Sequence, residues 1–183
     1  KTYNIDPEDI RRKITPRTKA IIPVHFAGQP CDMDAIHEIA REHHLIVIED
    51  GAHALGASYK GEKVGSLSDM TTFSFHPVKP ITTGEGGMIT TNDEQLYRRL
   101  KLFCSHGITR DEKLLVHNEG PWYYEQQLLG YNYRITDIQC ALGISQMAKL
   151  ERYLEIRKTL VNRYNEAFGH CKNIVIPYQL ENV

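Results

Sequence analysis

The nine residues LIVIEDGAH, numbers 45–53, decide the fold of this chain. They begin with a short, continuous apolar run at 45–48, which follows a helix-like segment. Such a run in that position is typical of a parallel strand that is buried on both faces. The run leads directly into two acids, Glu49 and Asp50. The stretch therefore predicts an α/β fold with a carboxylate at the carboxyl end of a buried strand.

Segments on both sides of this strand continue the alternation of helices and strands. Asp-Pro-Glu at 6–8 has the form of a helix start, and an acid or amide precedes each of several other amphipathic runs. The polar stretch 105–132 is a long loop with three glycines, a type that is usually functional or mobile. The expected helices are 7–13, 32–44, 93–104 and a pair within 136–168, and the expected strands are 19–26, 70–75, 87–91, 173–176 and a hairpin at 58–65.

Composition excludes several classes of function. The chain has 183 residues, of which 41% are hydrophobic, and 22 basic residues nearly balance 23 acidic ones. This balance lacks the basic surplus that a nucleic-acid or anionic-membrane partner requires. No apolar run reaches the ~20 residues of a membrane helix, and no signal peptide is visible. Four widely spaced cysteines indicate reduced thiols, and hence a cytoplasmic protein.

Metal and nucleotide motifs are incomplete. His37-Glu38 begins like the zinc signature H-E-x-x-H, but residue 41 is arginine, so no metal site is predicted. A Walker phosphate-binding loop needs glycines before its lysine, whereas the glycines at 84, 86 and 87 follow Lys79. The dinucleotide fingerprint G-x-G-x-x-G is also missing.

Lys79 has an unusual setting for a lysine. It stands between Pro77 and Pro80, which restrict the backbone on both sides. The glycines that follow it would allow a bound group or another chain to approach closely. Asp50 and Lys79 together indicate pyridoxal phosphate, whose aldehyde needs a lysine and whose pyridinium nitrogen needs a carboxylate. Ser74 could serve the phosphate of that cofactor.

Five ordered motifs carry a resemblance that covers nearly the whole chain. Their sequences are similar to those of the DegT/DnrJ/StrS sugar aminotransferases, which belong to the fold type I pyridoxal-phosphate enzymes. The motifs are EDGAHALGA at 49–57, FSFHPVK at 73–79, TTGEGG at 82–87, HGI at 106–108 and GYNYR at 130–134.

The resemblance implies a role for each of five residues. Lys79 would be the catalytic residue and bind the aldehyde of pyridoxal 5′-phosphate covalently. Asp50 would pair with the pyridine nitrogen, and His53 would lie beside the phenolic oxygen of the ring. Ser74 would contact the phosphate. Asn132 would reach the cofactor phosphate of a neighbouring subunit, so the resemblance implies a homodimer with shared active sites.

The implied reaction moves an amino group from an amino acid, with glutamate expected, to C4 of a UDP-linked 4-keto-6-deoxy sugar. Lysine at residue 79 favours transamination, because a related branch of the family has histidine there and dehydrates its sugar. The most similar branch acts in pseudaminic acid and polysaccharide biosynthesis. Three alternatives remain: a GDP-perosamine or dTDP-linked substrate, a non-catalytic regulatory relative, and a glycine-rich phosphate-binding module.

The resemblance also gives expectations for domain organisation. Residues 1–170 would form part of the fold type I large domain, a mostly parallel sheet sandwiched by helices, and residues 171–183 would begin the small C-terminal domain. Family chains are longer, so we expect this chain to be incomplete at both ends and inactive alone.

Overall fold

A four-stranded sheet organises the chain, which the computed structural model describes over residues 1–181. The strands are β1 (Ala20–Ile21), β2 (Ile46–Asp50), β3 (Ser58–Tyr59), β4 (Glu62–Lys63), β5 (Met70–Ser74), β6 (Gly87–Thr90), β7 (Ile108–Thr109) and β8 (Glu125–Gln126). The helices are α1 (Pro7–Lys13), α2 (Met33–His43), α3 (Glu94–Phe103), α4 (Asp137–Met147) and α5 (Leu150–Phe168), with a short 3₁₀ turn at Phe26–Gly28.

The main sheet has the order β1-β2-β5-β6. Its first three strands are parallel, and β6 runs antiparallel to β5. The connection from β1 to β2 contains α2, as parallel strands require. The predicted α/β fold with a mostly parallel sheet is therefore confirmed.

One face of the sheet packs on α2. Ile36 and Ile39 on the helix are fully buried, and Val47 of β2 lies in the same hydrophobic cluster. The prediction that β2 is buried on both faces is wrong within residues 1–181, because Ile46 on the opposite face is 43% exposed. The run LIVI reads as continuous apolar sequence, but only alternate side chains meet the helix.

Side-chain caps fix the starts of the predicted helices. Asp6 accepts a hydrogen bond from the Glu8 amide, and Asp32 and Asp93 cap α2 and α3 in the same way. At α4, Thr136 and Gln139 form a reciprocal capping box. These caps satisfy amide groups that would otherwise lack partners, which explains why the helices begin where the sequence predicted.

The first strand is shorter than predicted. The expected strand at 19–26 forms only the two-residue β1, followed by a single bridge between Val24 and Asp50. Pro23 lies between them and has no amide hydrogen to donate to a ladder. Its carbonyl oxygen nevertheless accepts a hydrogen bond from the Asp50 amide at 2.9 Å.

The strand predicted at 173–176 is wrong, since these residues form no ladder with any described strand. Val175 is 90% exposed, and an extended segment without a neighbouring strand has no partner for its backbone groups. The division into domains at residues 170 and 171 stays a prediction, and residues 182–183 lie outside the described part of the chain.

Two further pairs of short antiparallel strands form separate two-stranded sheets within residues 1–181. β3 and β4 form the hairpin predicted at 58–65, and its two loop residues, Lys60 and Gly61, both have positive φ. Such a loop matches the twist of the paired strands. The long segment 105–132 is not wholly irregular, because β7 and β8 pair within it. No helix in residues 1–181 is both long and apolar enough to cross a membrane.

Candidate active site

The carboxyl ends of β2 and β5 bring Asp50 and Ser74 to one edge of the sheet. Both are the last residues of their strands, and Asp50 pairs in register with Thr72. Paired residues and alternate residues along a strand share a face, so Asp50, Thr72 and Ser74 project from the same side. This side is opposite the one that packs on α2. Ligands of open α/β sheets bind at this edge.

Both backbone polar groups of Asp50 are bound by the segment 23–25. Its amide donates to the Pro23 carbonyl, and its carbonyl accepts from the His25 amide at 3.1 Å. One side-chain oxygen, Oδ1, accepts from the Ala52 amide at 3.0 Å. The second carboxylate oxygen is therefore the one available to a ligand, and the position of the carboxylate is fixed by its own strand end.

Lys79 lies in a loop, residues 75–86, whose far end is hydrogen-bonded back to its first residue, Phe75. The Phe75 amide donates to the Gly86 carbonyl, and the Phe75 carbonyl accepts from the Thr83 amide. Buried Ile81 anchors the loop between these ties. Because the ends are fixed and the middle is anchored, Lys79 occupies a defined position on an otherwise exposed loop.

The proline bracket forms a turn. The Lys79 amide donates to the His76 carbonyl at 3.0 Å, with Pro77 as the second residue of the four. Proline is favoured at this turn position because its φ is already fixed. The turn directs the half-buried Lys79 side chain to a cleft of about 340 Å³, which Gln146, Tyr153 and Arg157 also line.

Two of the three glycines after Lys79 are required by close packing within this chain, and the expectation that the glycines admit a bound group or another chain stays a prediction. A Cβ on Gly86 would lie 2.5 Å from Thr83 Oγ1, and one on Gly87 would lie 2.7 Å from the Phe73 carbonyl oxygen. Only Gly84 faces open space among the three. Close packing within residues 73–87 therefore explains two of the glycines.

His53 lies in the loop that follows β2 and is exposed. The turn from Gly51 to Ala54 holds this loop, and Gly28 packs against the His53 backbone, where a Cβ would stand 2.9 Å from the carbonyl oxygen. His53 is thus three residues from Asp50 and beyond the same edge of the sheet. Its imidazole is available to a ligand on that side.

Asn132 is also exposed, but it belongs to a different part of the molecule. It forms a bridge with Ser105, next to Tyr131, whose amide donates to the Phe103 carbonyl at the end of α3. No hydrogen bond within residues 1–181 joins its side chain to Asp50, His53, Ser74 or Lys79. Strand and loop order thus places Asp50, His53 and Ser74 at the carboxyl edge of the sheet, with Lys79 on the loop that follows β5 and Asn132 in the segment that follows β8. The Lys79 cleft is lined by residues of α4 and α5 and by none of the other three predicted residues.

A buried acid–histidine pair was missed by the sequence reasoning. His25 Nε2 lies 2.6 Å from Glu49 Oε2, and both side chains are fully buried. Burial raises the pKa of Glu49, but hydrogen bonds from His25, Ser68 and Thr71 more than offset it and leave the pKa below its ordinary value. The sequence did contain a signal for this pair: Glu49 directly follows an apolar strand run, and a carboxylate buried in a strand requires a hydrogen-bonding partner.

Another cleft lies away from these residues. It has a volume of about 760 Å³ and is lined by His37, Arg41 and Asp69, at the amino ends of β2 and β5. Since ligands of parallel sheets bind at the carboxyl ends, volume alone does not identify the site. Residues 1–181 contain no group of three or more His, Cys, Asp or Glu side chains arranged to hold a metal.

The residues at the carboxyl edge fit pyridoxal phosphate. Asp50 offers a fixed carboxylate oxygen, and Lys79 offers an amine on an anchored loop. Ser74 Oγ accepts only a long contact of 3.4 Å from the His76 amide, which leaves its hydroxyl hydrogen free to donate. An acceptor for a ring nitrogen, an amine for an aldehyde and a donor for a phosphate are the groups that this cofactor requires.

Comparison with known proteins agrees with this chemistry. A model of the DegT/DnrJ/EryC1/StrS aminotransferase family matches residues 1–182. GDP-perosamine synthase from Caulobacter vibrioides is 45% identical over 175 residues, which cover 96% of this chain and 44% of that protein. The UDP-4-amino-4,6-dideoxy-N-acetyl-beta-L-altrosamine transaminase of Campylobacter jejuni is 41% identical over 168 residues, covering 90% and 43%.

Solved structures give the same result. Helicobacter pylori PseC, an aminotransferase of pseudaminic acid biosynthesis, superposes with a TM-score of 0.85 at 36% identity, covering 92% of this chain and 43% of that chain. The PLP form of the putative sugar aminotransferase Spr1654 from Streptococcus pneumoniae has a TM-score of 0.82 at 33% identity, covering 92% and 46%. The chain spans about half the length of the curated relatives it matches.

Proposed function

Because the chain belongs to the DegT/DnrJ/EryC1/StrS aminotransferase family, we propose that the full-length protein transfers an amino group from an amino acid to a sugar nucleotide. Pyridoxal 5′-phosphate is the cofactor of this family. The observation that supports the proposal is that two neighbouring strands, β2 and β5, lead at their carboxyl ends to a fixed carboxylate, Asp50, and to the anchored loop that carries Lys79. A non-catalytic relative would have no need to keep both groups.

The proposed roles follow from the chemistry of each side chain. Asp50 accepts a hydrogen bond from the protonated ring nitrogen, and Lys79 holds the aldehyde carbon covalently. Ser74 donates its hydroxyl hydrogen to the phosphate. His53 stands near the phenolic oxygen. Lys79 follows Ser74 on the loop whose ends are tied at Phe75.

When bound, the cofactor supplies an electron sink that stabilises the carbanion left by loss of a proton from carbon. The protein must move that proton. Lys79 is the proposed general acid and base: when it is not bonded to the cofactor, its free amine would take the proton from the α-carbon of the donor and would later deliver a proton to C4 of the sugar. The carboxylate of Asp50 keeps the ring nitrogen protonated, which is the condition for the sink to work.

The preferred substrate is a UDP-linked 4-keto-6-deoxy sugar, with glutamate as the amino donor. Support comes from the likeness to proteins whose names refer to altrosamine and pseudaminic acid. A second candidate is a GDP-linked 4-keto sugar, which the slightly higher identity to GDP-perosamine synthase favours. The two differ in the nucleotide base, so a substrate panel distinguishes them.

A homodimer with shared active sites is part of the proposal. Exposed Asn132, in the segment that bridges to Ser105, suits a role toward the cofactor phosphate of a neighbouring subunit. The four cysteines are all free, which suits the reducing environment of the cytoplasm.

Covalent trapping tests the cofactor role directly. The full-length protein would be incubated with pyridoxal phosphate, reduced with borohydride and digested, and the modified peptide identified by mass spectrometry. We expect the modification on Lys79, its loss in Lys79→Ala, and its retention in Lys60→Ala, which removes an exposed lysine from a hairpin loop. Modification of other lysines with Lys79 unmodified would reject the assignment.

The transfer itself requires glutamate and a panel of UDP-, GDP- and dTDP-linked 4-keto sugars. The expected product is a 4-amino sugar nucleotide, identified by mass and stereochemistry, with the UDP substrate turned over fastest. A protein that binds the cofactor but aminates none of the panel would exclude the proposed substrate class.

A further inference from the structure

A fully buried polar cluster lies directly behind the candidate site. His25 and Glu49 form its centre, with a separation of 2.6 Å between Nε2 and Oε2. Thr71 Oγ1 donates to the other carboxylate oxygen of Glu49 at 3.0 Å. Three segments of the sheet are therefore joined by side chains: the end of β1, β2 and β5. The proposed chemistry uses none of these three residues.

The hydrogen bonds of the imidazole define which nitrogen carries its proton. The Cys31 amide donates to His25 Nδ1 at 3.2 Å, so Nδ1 is an acceptor. Nε2 must then carry the hydrogen and donate it to Glu49. The ring is thus oriented from both sides, and the carboxylate of Glu49 receives donors from His25 and Thr71. No buried polar side-chain atom in residues 1–181 lacks a partner.

The cluster lies where the backbone of Asp50 is held. Glu49 and Asp50 are adjacent in β2 and project from opposite faces of the sheet. His25 contacts both: its side chain binds Glu49, and its backbone amide donates to the Asp50 carbonyl at 3.1 Å. Pro23, two residues earlier, accepts from the Asp50 amide. The side-chain pair and the backbone clamp therefore connect the same two segments.

The short turn after His25 extends the effect to His53. Residues 26–28 turn through Ala27 and Gly28, both with positive φ. Gly28 packs on the His53 carbonyl, close enough that a Cβ would stand 2.9 Å away. A displacement of His25 would therefore also displace the backbone of Asp50 and the loop that carries His53, two of the proposed cofactor contacts.

We propose that His25 and Glu49 are positioning residues, which hold Asp50 and the loop to His53 in the geometry that a pyridoxal cofactor requires. Backbone pairing alone holds this part of the sheet weakly, because β1 has only two paired residues and a proline lies between them and the bridge to Asp50. Additional side-chain contacts are therefore needed to fix the position of Asp50. The buried pair reinforces the two backbone hydrogen bonds that hold Asp50, beside a proline that has no amide hydrogen to donate. The role rests on the function proposed above for the cofactor, but the positioning itself is a property of the protein alone.

Amide hydrogen exchange without cofactor tests the positioning. In the full-length protein, Glu49→Gln keeps the shape of the side chain and removes its charge, whereas His25→Ala removes the donor. We expect exchange at the His25 and Asp50 amides to become about tenfold faster in both variants. His25→Gln, which returns a donor near the Nε2 position, should restore most of the protection.

Ile39→Val is the control, because Ile39 is a fully buried apolar side chain of α2 with no hydrogen-bonding group to offer His25, Glu49 or Asp50. It should lower overall stability without selective exchange at residues 25 and 50. Uniformly faster exchange in Glu49→Gln, or protection of the Asp50 amide equal to that of the unmodified protein, would overturn the proposal.

Equilibrium cofactor binding gives the second measurement. We expect Glu49→Gln to bind pyridoxal phosphate about tenfold more weakly and to alter the absorbance spectrum of the bound form, while Ile39→Val leaves both unchanged. Unchanged affinity and spectrum in Glu49→Gln would also overturn the positioning role. If the unmodified full-length protein binds no pyridoxal phosphate, the proposed function fails, and the exchange experiment still decides whether the pair holds Asp50.

Discussion

Glu49 and Asp50 are chemically similar neighbours with opposite environments. Strand geometry directs Glu49 to the α2 side, where it is fully buried, and directs Asp50 to the other face, where it is partly exposed. Both carboxylate oxygens of Glu49 have side-chain partners within the protein, His25 on one and Thr71 on the other. Asp50 receives only the Ala52 amide on one oxygen. The first acid is therefore structural, and the second retains capacity for a ligand.

Asp50→Asn should weaken cofactor binding while leaving the fold intact. The amide oxygen can still accept from Ala52, but the negative charge opposite the ring nitrogen is lost. A charge-assisted hydrogen bond contributes ~1.5–3 kcal/mol, so affinity should fall about ten- to a hundredfold. Fluorescence titration of the full-length protein with pyridoxal phosphate measures the change. Asp34→Asn, at a surface acid on α2, should leave affinity unchanged.

Glu49 should make stability dependent on pH in the acid range. Its pKa is lowered in the folded state, mainly through the hydrogen bond from His25, which acts against the effect of burial. The unfolded chain therefore takes up the proton first, and the stabilisation is complete above the ordinary glutamate pKa of ~4.3. It is lost as the pH falls through the lower folded value.

Urea unfolding over a series of acid pH values measures this effect. The free energy of unfolding of Glu49→Gln should change less on acidification than that of the unmodified protein, since the titrating group is absent. The exposed substitution Glu62→Gln should follow the unmodified protein. A Glu49→Gln curve parallel to the unmodified one would contradict the predicted linkage.

At the scale of elements, the loop 75–86 explains how one lysine is held. Its ends meet at Phe75, its middle is anchored by Ile81, and α4 is tied to it through a hydrogen bond from Gln139 Nε2 to the Glu85 carbonyl. The loop is therefore supported by the sheet and by a helix. Sequence position alone would have described it as a glycine-rich turn.

Two glycines of this loop give a matched test. Gly84 and Gly86 both have positive φ, but Gly84 faces open space, whereas a Cβ on Gly86 would lie 2.5 Å from Thr83 Oγ1. Gly84→Ala should cost about 1 kcal/mol from backbone strain alone. Gly86→Ala should cost about 2–3 kcal/mol and also reduce trapping of the cofactor on Lys79. Denaturant unfolding and borohydride trapping measure the two effects, and equal results for both variants would contradict the packing role of Gly86.

At the scale of the whole molecule, an extensive apolar surface is exposed within residues 1–181. Ile46 and Ile89 lie on the face of the sheet away from α2, and Ile138 and Ile144 project from α4, which has no buried residue. A parallel sheet is normally covered on both faces. Exposed apolar side chains on a sheet face and along a helix are typical of surfaces that other elements or partners cover.

The 183-residue polypeptide expressed alone should therefore self-associate. Ile138→Lys places a charge on the most exposed isoleucine of α4, at 84% exposure, and should shift the polypeptide toward the 21.0 kDa monomer in sedimentation velocity. Asn162→Lys adds the same charge at an exposed polar position of α5 and should not. A monomer in the unmodified polypeptide, or no effect of Ile138→Lys, would contradict this prediction.

Sequence predictions succeeded where the determining interactions act between residues close in sequence, and failed where these interactions join distant residues. Caps and periodicity located α2 and α3, because these signals act within a few residues. The strand at 19–26 was too long, since a single proline limited its ladder. The strand at 173–176 failed because a strand exists only with a neighbour, which the local sequence does not reveal.

For the site, the sequence by itself determined the reactive groups: a lysine between prolines, an acid at a strand end, and a serine on the next strand. It determined them because each depends on residue type and on the local order of strand and turn. The tertiary structure alone decided that Asp50 and Ser74 share a face, that Gly86 packs on Thr83, and that His25 binds Glu49. These contacts join residues 24 positions apart in the case of the buried pair, and only the parallel pairing of strands brings such distant side chains together.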